Sequence, residues 1–196
     1  MKRFTARIRH SDQTILTMCR VQYDMFCFGR KLAMAALGLV LAVIGVANLG
    51  NMAGILFAMV GCWMLASLNY PARMHADRIR DALHGEYPSN QYEFYDGHFV
   101  LLAQNRDVIN YDRLARLVED DHYCYLFINR EAAYMLEKAS LGDELKAFMA
   151  FMEKETGREW TKPYRISTFN LQAMLRLLRG DREAGAKKSK GAKRHG

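Results

Sequence analysis

The residues most able to do chemistry form one acidic run, Glu119, Asp120, Asp121 and His122. Their oxygen and nitrogen atoms are ligands that metal ions accept. However, side chains that follow one another at a tight turn diverge too far to surround one ion. The run is therefore predicted to be a solvated turn, and we expect neither a metal site nor a cofactor.

Motifs for covalent or nucleotide chemistry are missing from the sequence. It has no nucleophile elbow, no zinc-protease motif and no dinucleotide-binding fingerprint. Gly180–Lys187 resembles a phosphate-binding loop, but it lacks the Gly-Lys-Ser/Thr ending and follows no predicted strand. We therefore expect a protein that is not an enzyme.

The cysteines give no sign of a redox or metal motif. Cys19, Cys27, Cys62 and Cys124 are scattered along the chain and form no Cys-x-x-Cys pair. We expect all four to be free thiols, as is usual in a reducing compartment.

A basic tail is the remaining candidate for binding. From residue 179 to 196 the chain has 7 Lys or Arg against 2 Asp or Glu. The residues predicted to contact a membrane surface are Lys187, Lys188, Lys190, Lys193 and Arg194. Beside a bilayer, such a tail is drawn to anionic lipid headgroups. Nucleic-acid binding ranks lower because the tail has no stacking aromatics, and a tail that only adds solubility stays open as an alternative.

A long uncharged segment is the feature that places the rest of the chain relative to a membrane. Leu32–Ala72 holds 41 residues without a charge or a histidine, which as helix would span about 60 Å, twice the core of a bilayer. Asn48–Asn51 divides it with turn-forming residues. We predict a transmembrane hairpin, with helices over Leu32–Ala47 and Met52–Leu68.

Positive charges flank this hairpin on both sides. Its neighbours are Arg20, Arg30 and Lys31 before it and Arg73, Arg78 and Arg80 after it, whereas the connecting loop is uncharged. The positive-inside rule places both termini in the cytoplasm of a multi-pass plasma-membrane protein.

Small residues recur at helix-packing spacing within the hairpin. The predicted seam consists of Ala35, Gly38, Ala42 and Gly45 on the first helix, and Gly54, Ala58 and Gly61 on the second. Small residues let two helix backbones approach closely in lipid. The seam is expected to pair the two helices, and a homo-oligomer is a further use of it. Since the span holds no ionisable residue, we expect an anchor and not a pore.

The polar parts alternate as strands and end in a helix. Predicted strands cover Tyr92–Tyr95, His98–Ala103, Val108–Tyr111, Leu114–Glu119, Tyr123–Ile128 and Ala132–Glu137. A helix through Leu145, Phe148 and Met152 is predicted next, capped by Ser140 with Asp143 and ended by Gly157. Phe4, Ala6 and Ile8 alternate with polar residues, which predicts a strand that pairs with, or packs on, this C-terminal sheet.

The order of these elements resembles the YcxB-like family of bacterial membrane proteins. The residues that carry the resemblance are Tyr92–Phe94, the run Ile109–Glu119 and the aromatic strand Tyr123–Phe127. The resemblance implies a pleckstrin-homology-like (PH-like) domain after the hairpin. It implies no catalytic residue and no established activity.

The expected fold is therefore a membrane α-hairpin plus an α+β domain. It has two transmembrane helices and a small antiparallel PH-like sheet domain with a C-terminal capping helix. The predicted segments are 1–29 (strand and juxtamembrane helix), 30–70 (hairpin), 71–90 (linker helix and loop), 91–158 (PH-like domain) and 159–196 (amphipathic segment and disordered basic tail).

The expected function is a membrane-anchored binding or scaffolding module with an unknown protein partner. The alternatives are an accessory subunit of a larger membrane complex and, third, an enzyme with an unrecognised site.

Overall fold

Five α-helices and two β-sheets make up the described part of the chain, so the predicted α+β class is confirmed. This computed structural model describes residues 1–102 and 106–164. Met1–Pro163 form one compact unit. The helices are α1 (Asp12–Phe26), α2 (Phe28–Ala47), α3 (Met52–Ala66), α4 (Tyr70–Leu83) and α5 (Leu145–Thr156). The strands are β1 (Phe4–Arg9), β2 (Ser89–Phe94), β3 (His98–Leu102), β4 (Arg106–Asn110), β5 (Arg116–Glu119), β6 (Tyr123–Phe127), β7 (Ala133–Glu137) and β8 (Trp160–Thr161).

The first sheet combines a strand from before the hairpin with three from after it. Its order is β1-β2-β3-β4, and all neighbours are antiparallel. Strand β1 pairs with β2 along its whole length, from Phe4 opposite Phe94 to Arg9 opposite Ser89. The predicted pairing of the N-terminal strand with the C-terminal sheet is therefore confirmed, and helices α1 to α4 are inserted between two hydrogen-bonded neighbours.

The second sheet is a meander closed by a short parallel strand. Its order is β7-β6-β5-β8, in which β5 and β8 are parallel. The predicted strand Leu114–Glu119 starts later than expected, since Tyr111–Arg113 form a 3-10 turn and pairing begins at Arg116.

Aromatic rings fill the space between the sheets and α5. Phe148 of α5 is fully buried and meets Phe94 edge to face, with ring centroids 4.8 Å apart. Phe4 of β1 lies 5.7 Å from Phe148 and 5.3 Å from Phe151. The helix ends at Gly157, whose φ of 63° is the left-handed conformation that favours glycine.

The cap predicted for α5 is wrong. Helix α5 begins after two 3-10 turns, and its N-terminal residue Glu144 makes no side-chain cap. Ser140 instead accepts a hydrogen bond from the backbone N–H of Arg7 at 3.0 Å and donates one to the carbonyl of Glu137. The serine thus ties β1 to the end of β7.

Helices α2 and α3 form the hairpin, with the turn at residues 48–51 as predicted. Among the described residues, α2 is long and apolar enough to cross a membrane, whereas α3 passes that test only together with α4, from which it is bent by 48°. Helix α3 ends at Ala66, two residues before the predicted end. Two membrane-spanning helices therefore stay a prediction.

Helices α1 and α4 pack on each other beside the first sheet. Ser11 caps α1 by accepting the N–H of Thr14, and the Thr14 hydroxyl accepts the N–H of Ser11 in return. Ile15 and Cys19 of α1 are buried with Ala76 of α4. This pair connects the sheet to the base of the hairpin.

A half-buried histidine just after β1 is expected to make stability depend on pH. Burial lowers the pKa of His10 below its ordinary value of 6.5, and the amide nitrogen of Asn90 lies 3.3 Å from its Nε2 atom. As the pH falls below 6.5, His10 takes up a proton in the unfolded chain before it does so in the folded protein. The contribution of His10 to the free energy of unfolding is therefore full above pH 6.5 and decreases as the pH drops. We expect the melting temperature of the wild type to fall between about pH 7.5 and about pH 5.5 by more than that of His10→Asn. Equal pH dependence in both proteins would contradict this prediction.

Candidate functional site: the junction between hairpin and sheets

Gly38, Gly45 and Gly61 of the predicted seam lie against the partner helix at close range, whereas Gly54 lies against Asn48 in the turn. A Cβ atom added to Gly45 would lie 2.2 Å from the backbone nitrogen of Ala58, and one added to Gly61 would lie 2.4 Å from that of Ala42. Gly38 and Gly54 are buried as well, whereas Ala35 is half-buried. The glycines set the distance between α2 and α3, because no side chain fits at these crossings.

The outer faces of the same helices are apolar and uncovered. Side chains more than half exposed include Leu39, Val43, Val46, Leu56, Met59 and Trp63. Contiguous apolar surface of this extent marks a membrane or protein contact. A hairpin in water would leave this surface unfavourably hydrated.

An ion pair closes the base of the hairpin on one side. Lys31, in the first turns of α2, is only 8% exposed, and its Nζ lies 2.6 Å from Oδ1 of Asp24 on α1. The same ammonium is 6.0 Å from the ring centre of Tyr23. Burial raises the pKa of the Tyr23 hydroxyl above its ordinary value, so it stays neutral beside the pair. This contact fixes the angle between α1 and α2.

The turn between β6 and β7 contacts the same base from the other side. Arg130 in this turn donates to the backbone carbonyl of Phe26 at 3.2 Å, and its own carbonyl accepts from the amide of Gln22. The ring centroids of Phe26 and Phe127 are 5.3 Å apart. The guanidinium of Arg116 lies over the Phe26 ring, 5.3 Å from its centroid. The second sheet is thereby docked onto the helix that leads into the hairpin.

The ion pair at the junction offers a direct test of its importance. Removing one partner of a buried pair leaves the other charge unpaired, so Asp24→Asn should lower the free energy of unfolding by about 3 kcal/mol. The matched control is Asp77→Asn, whose pair with Arg80 joins side chains about half exposed, 55% and 49%. That change should cost less than about 1 kcal/mol.

Melting temperatures in detergent measure both changes. Asp24→Asn combined with Lys31→Met removes both charges and should cost less than Asp24→Asn alone. If Asp24→Asn and Asp77→Asn have the same melting temperature, the ion pair at the junction does not hold α1 against α2.

The acidic turn has a structural use for its carboxylate. Asp120 accepts hydrogen bonds from the N–H groups of His122 and Tyr123 and from the hydroxyl of Tyr125. Burial first, and this hydrogen bond second, raise the pKa of Tyr125. Glu119 pairs with Lys138. Within residues 1–102 and 106–164, no group of three His, Cys, Asp or Glu side chains is placed to hold a metal ion.

The cysteines are free, as predicted. Burial raises the pKa of Cys19 to about 11 and that of Cys124 to about 12, so neither is a nucleophile at neutral pH. Away from the cysteines, the described residues line a small cavity of about 180 Å³ between α1 and α4 and an open cleft of about 970 Å³ beside the end of α4.

A comparison with protein families now adds to this geometry. Residues 104–152 match the family model described as YcxB-like protein. The YcxB-like resemblance inferred from the sequence is therefore confirmed over β4 to α5, about a quarter of the chain. Neither the curated proteins nor the solved structures contain a match to the chain. The YcxB-like segment includes Arg116, Phe127 and Arg130, which dock on the helix before the hairpin.

Sequence reasoning identified the seam but missed this docking. Gln22, Phe26, Arg116 and Arg130 are ordinary residues in a helix, a strand and a turn, and no spacing joins them. The tail residues Lys187, Lys188, Lys190, Lys193 and Arg194 lie outside the described residues.

Proposed function

We propose that this protein is a membrane-anchored, non-enzymatic binding or scaffolding module. Helices α2 and α3 cross the bilayer, and the two sheets with α5 form a PH-like domain in the cytoplasm. The observation that carries the proposal is the uncovered apolar surface of the hairpin, which adjoins a polar, hydrogen-bonded junction. In this proposal the bilayer core covers the apolar surface of the hairpin, and the headgroup region accommodates the polar junction.

Helix lengths support the placement of the hairpin. The 20 residues of α2 span about 30 Å, the thickness of the hydrocarbon core. The 15 residues of α3 span about 22 Å, so its ends need local thinning of the bilayer or help from the turn residues. The bend to α4 then carries the chain along the membrane surface.

Strand pairing supports an even number of crossings. Strand β1 precedes the hairpin and β2 follows it, yet the two are hydrogen-bonded neighbours. This pairing supports a topology in which both ends of the hairpin lie on one side of the membrane. The flanking arginines and lysines favour the cytoplasm as that side.

Cysteine labelling tests this topology. In a Cys27→Ser, Cys62→Ala background, Gly50→Cys should react with an impermeant maleimide in intact cells, because Gly50 lies in the exposed turn. Asp121→Cys, in the exposed acidic turn, should react only after permeabilisation. Labelling of Asp121→Cys in intact cells, or none of Gly50→Cys, would overturn the orientation.

The absence of convergent chemistry among the described residues supports binding over catalysis. The aromatic interior of the domain is filled by α5, and burial raises the pKa of Cys124, the thiol within the domain, to about 12. PH-like folds host unrelated ligands, so the architecture does not name the partner. The basic tail adds a second contact with anionic headgroups in this proposal.

An accessory subunit of a larger membrane complex is the second candidate. It is favoured by the exposure of Trp63, which is 70% exposed within α3 and would suit a neighbouring helix as well as lipid. Crosslinking in native membranes from a photoreactive residue at position 63 distinguishes the two, since an adduct with one discrete protein favours the complex.

A further inference from the structure

Three arginines surround the base of the hairpin without a carboxylate partner. Arg30 follows Cys27 by three residues, and a guanidinium nitrogen of Arg130 lies 3.9 Å from the Cys27 sulfur. Arg116 lies over the ring of Phe26. None of the three belongs to an ion pair within the described part of the chain, whose pairs use other cations. All three are exposed.

The acidic groups near them are few and partly occupied. Asp24 is engaged by Lys31 at 2.6 Å, so its charge is already compensated. Glu131 is exposed and follows Arg130 in the chain. Because no ion pair within the described residues neutralises the three arginines, they leave positive charge where α2 begins.

We propose that Arg30, Arg116 and Arg130 form a binding surface for the phosphate groups of anionic phospholipids. This inference rests on the proposed membrane insertion of the hairpin. Guanidinium groups bind phosphate oxygens through paired N–H donors. Arg130 uses one guanidinium nitrogen for the Phe26 carbonyl and the Cys27 sulfur, and the described residues include no side-chain hydrogen bond from Arg116 or Arg30. Most of their donors are free for a headgroup.

Position decides between a lipid and a free anion. The three arginines flank residues 26–30, and the uncovered apolar surface of α2 starts within two turns of that segment. An anionic lipid satisfies both surfaces at once, with its phosphate on the arginines and its acyl chains along α2. A soluble phosphate satisfies only the first.

The surface would also hold the domain against the membrane. Arg116 lies on β5 of the second sheet and Arg130 in its β6–β7 turn, whereas Arg30 belongs to the hairpin. A lipid headgroup bound by arginines of both parts would connect the second sheet to the hairpin. A negatively charged leaflet would therefore stabilise the sheet in its docked position.

Lipid association in nanodiscs tests the inference. The full chain is placed in phosphatidylcholine nanodiscs, and the association of spin-labelled phosphatidylglycerol is compared with that of spin-labelled phosphatidylcholine by electron paramagnetic resonance. The tail is the same in every variant, so its contribution cancels. Arg30→Gln with Arg116→Gln should reduce the preference for phosphatidylglycerol at least about fivefold, since each basic residue near the surface attracts anionic lipid.

Matched variants separate charge from packing. Arg30→Lys with Arg116→Lys should keep most of the preference. Lys146→Gln removes a charge from the first turn of α5, which follows β7 at the end opposite the β6–β7 turn, and it should behave as wild type.

Each other outcome overturns the inference. If the Gln double variant keeps the full preference for phosphatidylglycerol, the arginines do not bind the lipid. If the Lys double variant loses as much of the preference as the Gln variant, the effect comes from packing and not from charge. Displacement of the labelled lipid by inorganic phosphate would assign the surface to a free anion. Failure of the wild type to insert into neutral nanodiscs would instead refute the hairpin proposal itself.

Discussion

Replacing Ile8 by Asn should destabilise the whole sheet domain, although Ile8 lies before the hairpin and far from the domain in sequence. Ile8 is 1% exposed and opposes Asn90 in the β1–β2 ladder. Truncating a buried isoleucine costs about 2–5 kcal/mol, and burying an amide without a partner adds about 1–3 kcal/mol. We expect a loss of about 4 kcal/mol in the free energy of unfolding, nearly a thousandfold in the folding equilibrium.

Hydrogen–deuterium exchange measures this directly. Backbone amides of β2 and β3 should lose protection in Ile8→Asn, because β1 is the outer neighbour of β2. Arg9→Asn is the matched control, since Arg9 is the exposed next residue of the same strand. Equal protection in the two variants would mean that β1 is an appendage of the sheet and not part of it.

Replacing Gly61 by Leu should separate the two helices of the hairpin. A Cβ atom at this position would lie 2.4 Å from the Ala42 nitrogen and 2.6 Å from the Gly38 carbonyl oxygen. These are backbone atoms, so relief requires the helices to move apart and lose their other contacts. Overpacking of this kind costs about 3 kcal/mol, or at least about 6 °C in melting temperature for a chain of this size.

Gly29→Leu provides the matched control for that substitution. Gly29 lies in the first turn of α2, and nothing stands within 4 Å of an added Cβ atom. Its melting temperature should stay near that of the wild type or rise, since leucine favours helix more than glycine does. If Gly61→Leu and Gly29→Leu have the same melting temperature, the two helices are not closely packed at Gly61.

Local patterns in the sequence predicted most elements of the fold. Alternation identified β1 and the later strands, and Gly157 ended α5. These signals depend only on neighbours in the chain. The α5 cap was missed because Ser140 has a competing partner, the N–H of Arg7, which comes from a strand more than a hundred residues earlier.

The candidate site was predictable only in part for the same reason. The glycines of the seam follow a helical period, so their role was visible in the sequence. The docking of Arg116 and Arg130 on Phe26 depends on how a strand and a turn are folded back onto α1, and no periodicity encodes that. The short α3 also departs from its hydropathy: the apolar run continues to Leu68, but the helix stops where Ser67 turns the chain toward α4.

The insertion of the helices between β1 and β2 imposes an order of events during synthesis. Strand β1 leaves the ribosome first and has no partner until Ser89–Phe94 has been made, some eighty residues later. Its ladder can close only once both arms of the hairpin have been made. On the proposed topology, a chain whose second arm failed to turn back would carry β1 as an unpaired edge, open to aggregation or proteolysis. Closure of the first sheet would then act as a checkpoint on assembly, because β1 is paired only in a molecule whose hairpin has returned the chain to β2.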